Sequence, residues 1–391
     1  MVKTMLRYIQ RDITEDLKNK MVFVGGPRQV GKTTLSHNIA SSYNNSVYLN
    51  NDSKENRNTI LNQSWYKNAD LVIFDELHKT RNWKRWIKGI YDTKPEHQQY
   101  MVTGSARLDV YKRGGDSLLG RYHYWRLHPL TIDEQIEGLT PDEIYKRLLK
   151  VGGFPEPFLA NDELKARRWR VERFEKITTE DIRDFSNVRE LNTLKLFIDM
   201  ISNRCGQLLN INNMARDLEI APLTAKSWLS LIEAMYIGFP VHTYTKSIER
   251  SILKKSKFYL FDNADCKNDS GAILENLIAT TLLKRLHYIR DRFGYNTKLH
   301  YVRDKDGREV DFLTVIDGKI YELIEVKSSD KNISTALKYY KDKLNPMHTA
   351  QIVGDAQGIN EKNDILVLNP VDYFTNLEWN RAPWLLDDFK I

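Results

Sequence analysis

The stretch Met21–Leu35, MVFVGGPRQVGKTTL, constrains this chain more than any other. A short apolar run, Val22–Val24, leads into Gly26–Thr33, which has the spacing G-x-x-x-x-G-K-[ST] of a phosphate-binding loop. Glycines let the backbone curl so that successive N–H groups point at an anion, and the helix that follows adds the positive end of its dipole. The apolar strand before the loop and the helical run Thr34–Ala40 after it are the context in which such a loop binds nucleotide phosphates.

The loop also predicts individual roles. We expect Lys32 to reach the β- and γ-phosphates of ATP, and the Thr33 hydroxyl to bind Mg²⁺. ATP and Mg²⁺ are therefore the expected ligand and cofactor. The expected nucleotide-binding residues are Gly26, Pro27, Arg28, Gln29, Val30, Gly31, Lys32, Thr33 and Thr34.

A second pattern downstream is typical of nucleotide hydrolysis. Leu71–Phe74 is an apolar run that predicts a buried strand, and it ends in two carboxylates, Asp75 and Glu76. Asp75 is expected to hold Mg²⁺ through water, and Glu76 to orient or deprotonate the attacking water. Acids often end buried strands, but after a phosphate loop they predict a hydrolytic site.

Two further residues are candidates for γ-phosphate chemistry. The predicted strand Tyr100–Thr103 leads to Ser105, which we expect to contact the γ-phosphate or the water, with Thr103 as the second choice. Arg121 follows a glycine-rich loop and is a candidate arginine finger that reaches a neighbouring subunit's γ-phosphate. A plain surface arginine is the alternative, and Arg107 is the second candidate for the finger.

Residues 21–130 alternate apolar strands with polar helical stretches, which predicts an α/β fold with a parallel sheet covered by helices. The predicted strands are Val22–Val24, Ser46–Leu49, Leu71–Phe74, Tyr100–Thr103 and Tyr122–Leu127.

Several stretches of this region resemble a known family. They are VGGPRQVGKTTL, LVIFDELHK, NWKRWIK, VTGSAR, LLGRYHYWRLHPLT and GGFPEPFL, in family order between residue 21 and about residue 160. The chain resembles the AAA+-type ATPases (AAA_14) of bacteria and archaea that carry a C-terminal domain of unknown function, DUF4143. The resemblance implies the additional-strand (ASCE) sheet order, with the strand before Lys32 beside the strand that leads to Ser105. It also implies a helical lid after Leu130 and, with an Arg121 finger, a homo-oligomer in the form of a hexameric ring.

Residues 210–234 predict a helix, a turn and a second helix that Pro222 opens. The next stretch, Gly238–Lys257, is basic and is expected to form a β-wing, which completes a winged-helix pattern that binds DNA. A winged helix used for protein contacts or packing is the alternative. The expected DNA contacts are Thr224, Lys226, Ser227, Lys246, Arg250, Lys254, Lys255 and Lys257.

The C-terminal part carries a second chemical pattern. Two strands, Glu309–Ile316 and Lys319–Ser328, are expected to be joined by a turn that contains Asp317 and Gly318. An acid on one strand and Glu-x-Lys on the next is the PD-(D/E)xK nuclease arrangement, in which carboxylates bind Mg²⁺ and the lysine activates water or stabilises developing charge. The expected nuclease-like site contains Glu275 from the preceding helix, Glu309, Asp311, Glu325 and Lys327, with Asp311 and Glu325 as metal ligands. Charged residues on an exposed strand are the alternative.

The register of this hairpin tests the nuclease hypothesis. With a two-residue turn and no irregularity, Asp311 would oppose Ile324 and Glu325 would oppose Val310, which puts the two acids on opposite faces. A three-residue loop or a single bulge restores a common face, so we expect an odd-length or bulged turn, such as a type I turn that forms a G1 bulge with Gly318 in the left-handed conformation. A plain two-residue turn with an unbroken ladder would exclude the site.

Composition adds two expectations. The net charge of +7 favours an acidic partner such as nucleic acid, although a solvated basic surface explains it equally well. No apolar run approaches the ~20 residues that cross a bilayer, and the two cysteines form no metal or redox pattern. We therefore expect a cytoplasmic protein without a membrane partner.

These patterns divide the chain into a P-loop ATPase core (1–130), a helical lid and connector (131–200), a winged helix (201–262) and a mixed α/β, restriction-endonuclease-like domain (263–391). The leading hypothesis is a Mg-ATP-hydrolysing ATPase that binds duplex or branched DNA and cleaves it or only holds it. The alternative is a nucleotide-dependent switch or scaffold whose nuclease-like domain is inactive and contacts proteins. A third hypothesis is a metal-dependent nuclease in which the ATPase gates access.

Overall fold

The structure, a computed structural model, describes residues 6–104, 118–182, 190–245 and 255–377. The chain divides after His128 into two compact units, and each contains one β-sheet. Five residues of the sequence predictions lie outside the described residues: Ser105, Arg107, Lys246, Arg250 and Lys254.

A five-stranded, fully parallel sheet forms the first unit, in the order β2-β3-β4-β1-β5. Its strands are β1 Met21–Gly25, β2 Ser46–Asn50, β3 Leu71–Asp75, β4 Gln99–Thr103 and β5 Tyr122–Arg126. Among the described residues its α-helices are α1 Gln10–Asp16, α2 Lys32–Ala40, α3 Lys54–Asn62 and α4 Trp83–Asp92, and a 3₁₀ turn spans Leu77–Lys79. All five predicted strands are present, and the expected neighbours β1 and β4 are paired.

Burial explains why these strands are continuous apolar runs. Every residue of β1 and β3 is buried, as expected for a parallel sheet covered on both faces. Trp83 and Ile87 of α4 pack on one face together with Phe23 and Phe74. Because the strands are parallel, the carboxyl ends of β1, β3 and β4 lie at the same edge of the sheet.

The second unit combines nine α-helices among the described residues with a larger sheet. The helices are α5 Pro141–Val151, α6 Pro155–Ala160, α7 Glu163–Lys176, α8 Leu191–Ser202, α9 Ile211–Asp217, α10 Pro222–Ala234, α11 Ser270–Phe293, α12 Thr335–Leu344 and α13 Pro370–Thr375. Local signals set their ends: Thr140 and Glu143 form a capping box before α5, and Gly294 ends α11 in the left-handed conformation at φ 78°. The predicted helix–turn–helix corresponds to α9 and α10.

This unit's sheet has eight strands in the order β12-β13-β11-β10-β9-β8-β6-β7. They are β6 Gly238–Thr243, β7 Lys257–Leu260, β8 Thr297–Arg303, β9 Glu309–Ile316, β10 Lys319–Lys327, β11 His348–Val353, β12 Asn360–Lys362 and β13 Ile365–Leu368. The predicted wing strands do form an antiparallel pair, β6 with β7, but β6 also pairs in parallel with β8. These strands therefore extend the sheet that carries the nuclease-like pattern.

The β9–β10 hairpin contains the expected irregularity at a different place. Its turn has two residues, Asp317 at φ 49° and Gly318 at φ 81°, which is the pattern of a type I′ turn instead of the expected type I turn with a G1 bulge. The register shifts between Ile320 and Glu322, so that Ile324 pairs with Phe312. The turn is therefore neither odd-length nor bulged, as we expected it to be, but the bulge within β10 shifts the register so that both predicted acids lie on one face.

Candidate functional site

The phosphate loop connects β1 to α2, and its backbone needs glycine. Gly26 has φ 155° and Gly31 has φ 98°, and a Cβ on Gly26 would lie 2.3 Å from the Leu127 carbonyl oxygen. Arg7 supports the loop from outside, because its Nη1 donates to the Val30 carbonyl at 2.9 Å. Sequence reasoning missed this arginine, which precedes the loop and matches no motif.

The two best-defined loop residues lie where the motif predicts. Lys32 is 7% exposed, and its Nζ donates to the carbonyls of Gly26 at 3.0 Å and Pro27 at 2.7 Å, which holds the ammonium over the loop. Thr33 is exposed in the first turn of α2, and its Oγ1 donates to Asp75 Oδ2 at 3.4 Å. The predicted Mg²⁺ ligands are therefore adjacent. The remaining predicted loop residues, Arg28, Gln29, Val30 and Thr34, lie in the same loop and turn.

Hydroxyl groups orient the Asp75 carboxylate. Thr103 Oγ1 donates to Asp75 Oδ1 at 2.5 Å, and the Tyr48 hydroxyl donates to Oδ2. Thr103, our second choice for a γ-phosphate contact, is fully buried and is used here instead. Burial and the hydrogen bond to Asp75 raise the pKa of Tyr48, so the phenol stays a donor. The sequence signal for Tyr48 is its place two residues before Asn50, which pairs with Asp75 across β2 and β3.

Glu76 has the position and environment of a proton acceptor. It follows β3 at φ 55°, a conformation rare for a non-glycine residue, and its N–H donates to the Thr103 carbonyl at 2.9 Å. Its Oε2 lies 3.4 Å from His78 Nε2 and 3.9 Å from Lys79 Nζ. Burial raises the pKa of Glu76 more than Lys32 lowers it, which makes the carboxylate a better base.

Arg121 lies at the opposite edge of the sheet from its own phosphate loop. It precedes Tyr122, which pairs with Met21 at the amino end of β1, whereas the loop follows the carboxyl end of β1. Its guanidinium makes a two-point ion pair with Asp92, with Nε to Oδ1 at 2.7 Å and Nη2 to Oδ2 at 3.1 Å. This placement excludes a contact of Arg121 with a nucleotide bound to its own phosphate loop. A contact of Arg121 with a neighbouring subunit's nucleotide stays a prediction.

The predicted acids of the second unit converge from three elements. Glu275 comes from α11, Glu309 and Asp311 from β9, and Glu325 from β10. Asp311 Oδ2 accepts the backbone N–H of Val326 at 2.9 Å. The last predicted member, Lys327, pairs with Glu325 at 2.6 Å. We call the four acids the carboxylate cluster.

Lys257 corrects one prediction. We expected it to contact DNA from the wing, but it is 4% exposed and lies within the carboxylate cluster. Its Nζ is 2.8 Å from Glu309 Oε1, 3.1 Å from Glu275 Oε1 and 3.1 Å from Asp311 Oδ1. The reason is strand alternation: Lys257 and Tyr259 share a face of β7, and the Tyr259 hydroxyl also donates to Glu275, at 2.6 Å.

The titration behaviour of the cluster follows from burial and crowding. Burial would lower the pKa of Lys257, but Asp311, Glu275 and Glu309 together raise it above its ordinary value, so this lysine is charged. Burial, and then the nearby Asp311 charge, raise the pKa of Glu275 and that of Glu325 to about 7. The charged Lys257 therefore lies among acids of which Glu275 and Glu325 are partly protonated near neutral pH.

A divalent metal at Asp311 and Glu325 does not fit these residues as they stand. The Lys257 ammonium has three N–H donors, and each has one carboxylate within reach, including that of Asp311. The expected metal ligand Asp311 is therefore already paired with a cation. Within residues 6–104, 118–182, 190–245 and 255–377, no group of three or more His, Cys, Asp or Glu side chains is arranged to hold a metal ion.

The predicted DNA contacts that the structure describes lie in two places. On α10, Lys226 and Ser227 are exposed and Thr224 is half-buried. Lys255, just before β7, is exposed. Their contact with DNA stays a prediction.

Comparison with known proteins gives matches along most of the chain. Residues 18–136 match an AAA domain (AAA_14), residues 142–265 match a domain of unknown function (DUF8612) and residues 270–373 match a second one (DUF4143). An uncharacterized protein of Methanocaldococcus jannaschii is 25% identical over 372 residues, which is 86% of this chain and 81% of that protein. An uncharacterized protein of Haemophilus influenzae is 23% identical over 388 residues, which is 85% of this chain and 93% of that protein.

Among solved structures, the Walker-type ATPase of Pyrococcus abyssi is similar to 66% of this chain over 93% of its own, with 13% identity and a TM-score of 0.42. RuvB of Thermotoga maritima is similar to 61% of this chain over 87% of its own, with 17% identity and a TM-score of 0.29. No helix among the described residues is both long and apolar enough to cross a membrane. The matches to family models show that the chain contains a P-loop ATPase-like AAA domain at residues 18–136 and a DUF4143 domain at residues 270–373.

Proposed function

We propose that the AAA domain hydrolyses Mg-ATP and that the second unit engages DNA. The observation that carries the first part is the contact between Thr33 Oγ1 and Asp75 Oδ2, with Glu76 next along the chain. It joins the phosphate loop to a carboxylate suited to Mg²⁺ and to a second one that is suited to activating water.

Each residue of the site has a role in this proposal. Lys32 binds the β- and γ-phosphates, and Glu76 accepts the proton of the attacking water. Tyr48 and Thr103 hold Asp75 in one orientation. When bound, Mg²⁺ would be held by Thr33 and Asp75 and would offset the charge of the phosphates. Ser105, and Arg121 from a neighbouring subunit of a homo-oligomeric ring, complete the proposed γ-phosphate contacts.

Glu76→Gln tests the hydrolytic role directly. Glutamine keeps the shape of the side chain but accepts no proton, so we expect phosphate release to fall by at least ~100-fold while ATP still binds. The measurement is steady-state phosphate release together with fluorescent-nucleotide binding. Glu55→Gln, an exposed glutamate at the start of α3, is the matched control and should leave both unchanged. Unchanged turnover in Glu76→Gln would refute the assignment.

The DNA part of the proposal is supported by the α9–α10 helix pair and by the net charge of +7. The exposed Lys226 side chain lies on the second helix of this pair, the helix that reads DNA in winged-helix proteins. A partner held through phosphate contacts releases counterions, so its affinity falls as salt rises.

Fluorescence anisotropy with duplex and branched DNA, at low and at physiological salt, tests this part. We expect Lys226→Glu to weaken binding by at least ~tenfold at low salt and to reduce the salt dependence. Lys338→Glu, an exposed lysine on α12, is the control for the same change in net charge. If the wild-type protein binds neither DNA at low salt, the DNA part fails while the ATPase part stands.

A nucleotide-dependent switch with an inactive nuclease-like domain is the second candidate. The position of Lys257 between three carboxylates favours it over an active metal-dependent nuclease. Mg-ATP hydrolysis that does not respond to any DNA would support this candidate.

A further inference from the structure

The carboxylate cluster of the second unit contains a cation that belongs to the chain. Lys257 Nζ lies within 3.1 Å of oxygens from Glu275, Glu309 and Asp311, on two different elements. We propose that this ammonium takes the place of a divalent metal, so that the domain keeps a nuclease-like arrangement of acids but does not hold the metal needed for cleavage. The inference depends on neither ATP hydrolysis nor DNA binding.

The hydrogen bonds of the cluster leave little room for a metal. Asp311 uses Oδ1 for Lys257 and Oδ2 for the Val326 N–H. Glu309 uses Oε1 for Lys257 and Oε2 for Arg303, at 2.6 Å. Each Asp311 oxygen keeps a second lone pair, but a divalent cation on Asp311 would have to share an oxygen with the Lys257 ammonium or with the Val326 N–H.

Electrostatics oppose sharing of the cluster between two cations. A metal at Asp311 and Glu325 would lie within a few ångströms of the Lys257 ammonium, since both bind the same Asp311 carboxylate. Like charges at that separation repel strongly in a buried site, where water screens them poorly. The metal could bind only if the Lys257 ammonium moved away from Asp311.

Lys257 is also held in place by its backbone. It pairs with Val241 of β6 and forms a bridge with Leu208 on its other side. Its side chain is 5% exposed, so a swing into solvent would disrupt packing around β7. Backbone pairing and burial thus hold the Lys257 ammonium within the cluster.

One oxygen of the cluster indicates what would happen without this lysine. In the described chain, Glu325 Oε2 is buried and has no hydrogen-bond partner, and Glu325 as a whole is 5% exposed. Removal of the Lys257 charge would free Asp311 Oδ1 beside this acid. The two acids, with Glu309, would then offer the oxygen ligands that Mn²⁺ and Mg²⁺ prefer.

The test is Mn²⁺ binding to the full-length protein without nucleotide, followed by electron paramagnetic resonance. We expect no stoichiometric Mn²⁺ binding by the wild-type protein. Lys257→Met should bind one Mn²⁺, with an affinity at least ~tenfold higher than any residual Mn²⁺ affinity of the wild-type protein. Lys257→Arg keeps the cation and should not bind Mn²⁺. Asp311→Asn added to Lys257→Met should remove the new site, which locates it in the cluster.

Two outcomes would overturn the proposal. One is wild-type Mn²⁺ binding, or Mg²⁺-dependent DNA cleavage, that Asp311→Asn abolishes. The other is a folded Lys257→Met protein that gains no Mn²⁺. If Lys257→Met does not fold at any Mn²⁺ concentration, the wild-type protein decides: Asp311-dependent binding overturns the proposal, and the absence of such binding supports it.

Discussion

At the scale of single residues, the two sites hold their acids in different ways. Asp75 accepts hydrogen bonds from neutral hydroxyl groups, those of Thr33, Tyr48 and Thr103. Its negative charge is therefore not cancelled by these partners and remains for Mg²⁺. Asp311, in contrast, is paired with the ammonium of Lys257. The residue types are alike in the two sites, and the difference lies in the charge of what they contact.

Tyr48→Phe tests whether the hydroxyl positions Asp75. Loss of one oriented hydrogen bond should lower ATP turnover by about tenfold and raise the Mg²⁺ concentration needed for half-maximal rate, because the carboxylate becomes less well oriented. ATP turnover measured against Mg²⁺ concentration checks both effects. Tyr43→Phe is the control, since its hydroxyl contacts Gln99 and not Asp75. An unchanged Mg²⁺ dependence in Tyr48→Phe would mean that its hydroxyl has only a structural role.

Single residues of the candidate ATP site were predictable because their positions depend on neighbours in sequence. Lys32, Thr33, Asp75 and Glu76 follow motifs whose spacing fixes their geometry once a strand precedes the loop. Lys257 was not predictable in this way. Its partners are 18 to 54 residues away, and a basic stretch in a predicted wing favours exposure.

At the scale of elements, the β9–β10 hairpin decides whether the second pattern forms a cluster. Its two-residue turn alone would put Asp311 and Glu325 on opposite faces of the sheet. The shift between Ile320 and Glu322 changes this, because one extra residue in β10 reverses the alternation beyond it. The sequence required a bulge, but it did not show that the bulge lies inside the strand.

Gly318→Ala tests the turn. Gly318 has φ 81°, and a Cβ at this position would meet no atom within 4 Å, so the cost of alanine comes from backbone conformation and not from a clash. We expect a loss of about 1 kcal/mol in the free energy of unfolding. Gly318→Asn is the control at the same position and should lose less, because asparagine adopts this conformation more readily. If urea denaturation gave equal losses of unfolding free energy for the two variants, the left-handed conformation of Gly318 would not be the cause.

At the scale of the whole molecule, buried ion pairs help to hold the second unit together. Lys284 of α11 is fully buried, and its Nζ contacts Asp133 at 3.0 Å, Glu134 at 2.7 Å and Thr131 Oγ1 at 2.8 Å. These partners precede it by about 150 residues along the chain. The contacts of Lys284 fix the start of this unit to its longest described helix, α11.

Lys284→Met should destabilise the second unit by about 3–5 kcal/mol, because two buried acids lose their counter-charge. Urea denaturation followed by circular dichroism measures the change. Lys338→Met, at an exposed position, should change the free energy of unfolding by less than ~0.5 kcal/mol. If the two variants lost similar amounts of unfolding free energy, the buried ion pairs of Lys284 would not have a stabilising role.

Local sequence was sufficient to predict the strands of the first sheet, the phosphate loop and the strand that ends at Asp75 and Glu76. These features depend on periodicity and on motif spacing, which act over a few neighbouring residues. Local sequence also defined which acids belong to the second cluster, because the hairpin that contributes three of them is short.

What those acids contact depends instead on the tertiary fold. The pairing of β6 with β8 brings β7 and Lys257 to the same sheet as β9 and β10, and the face of β7 that carries Lys257 turns toward Glu275 of α11. Such contacts depend on strand order and strand face, which residues far apart in sequence set together. This is why a lysine predicted to bind DNA instead lies between three carboxylates.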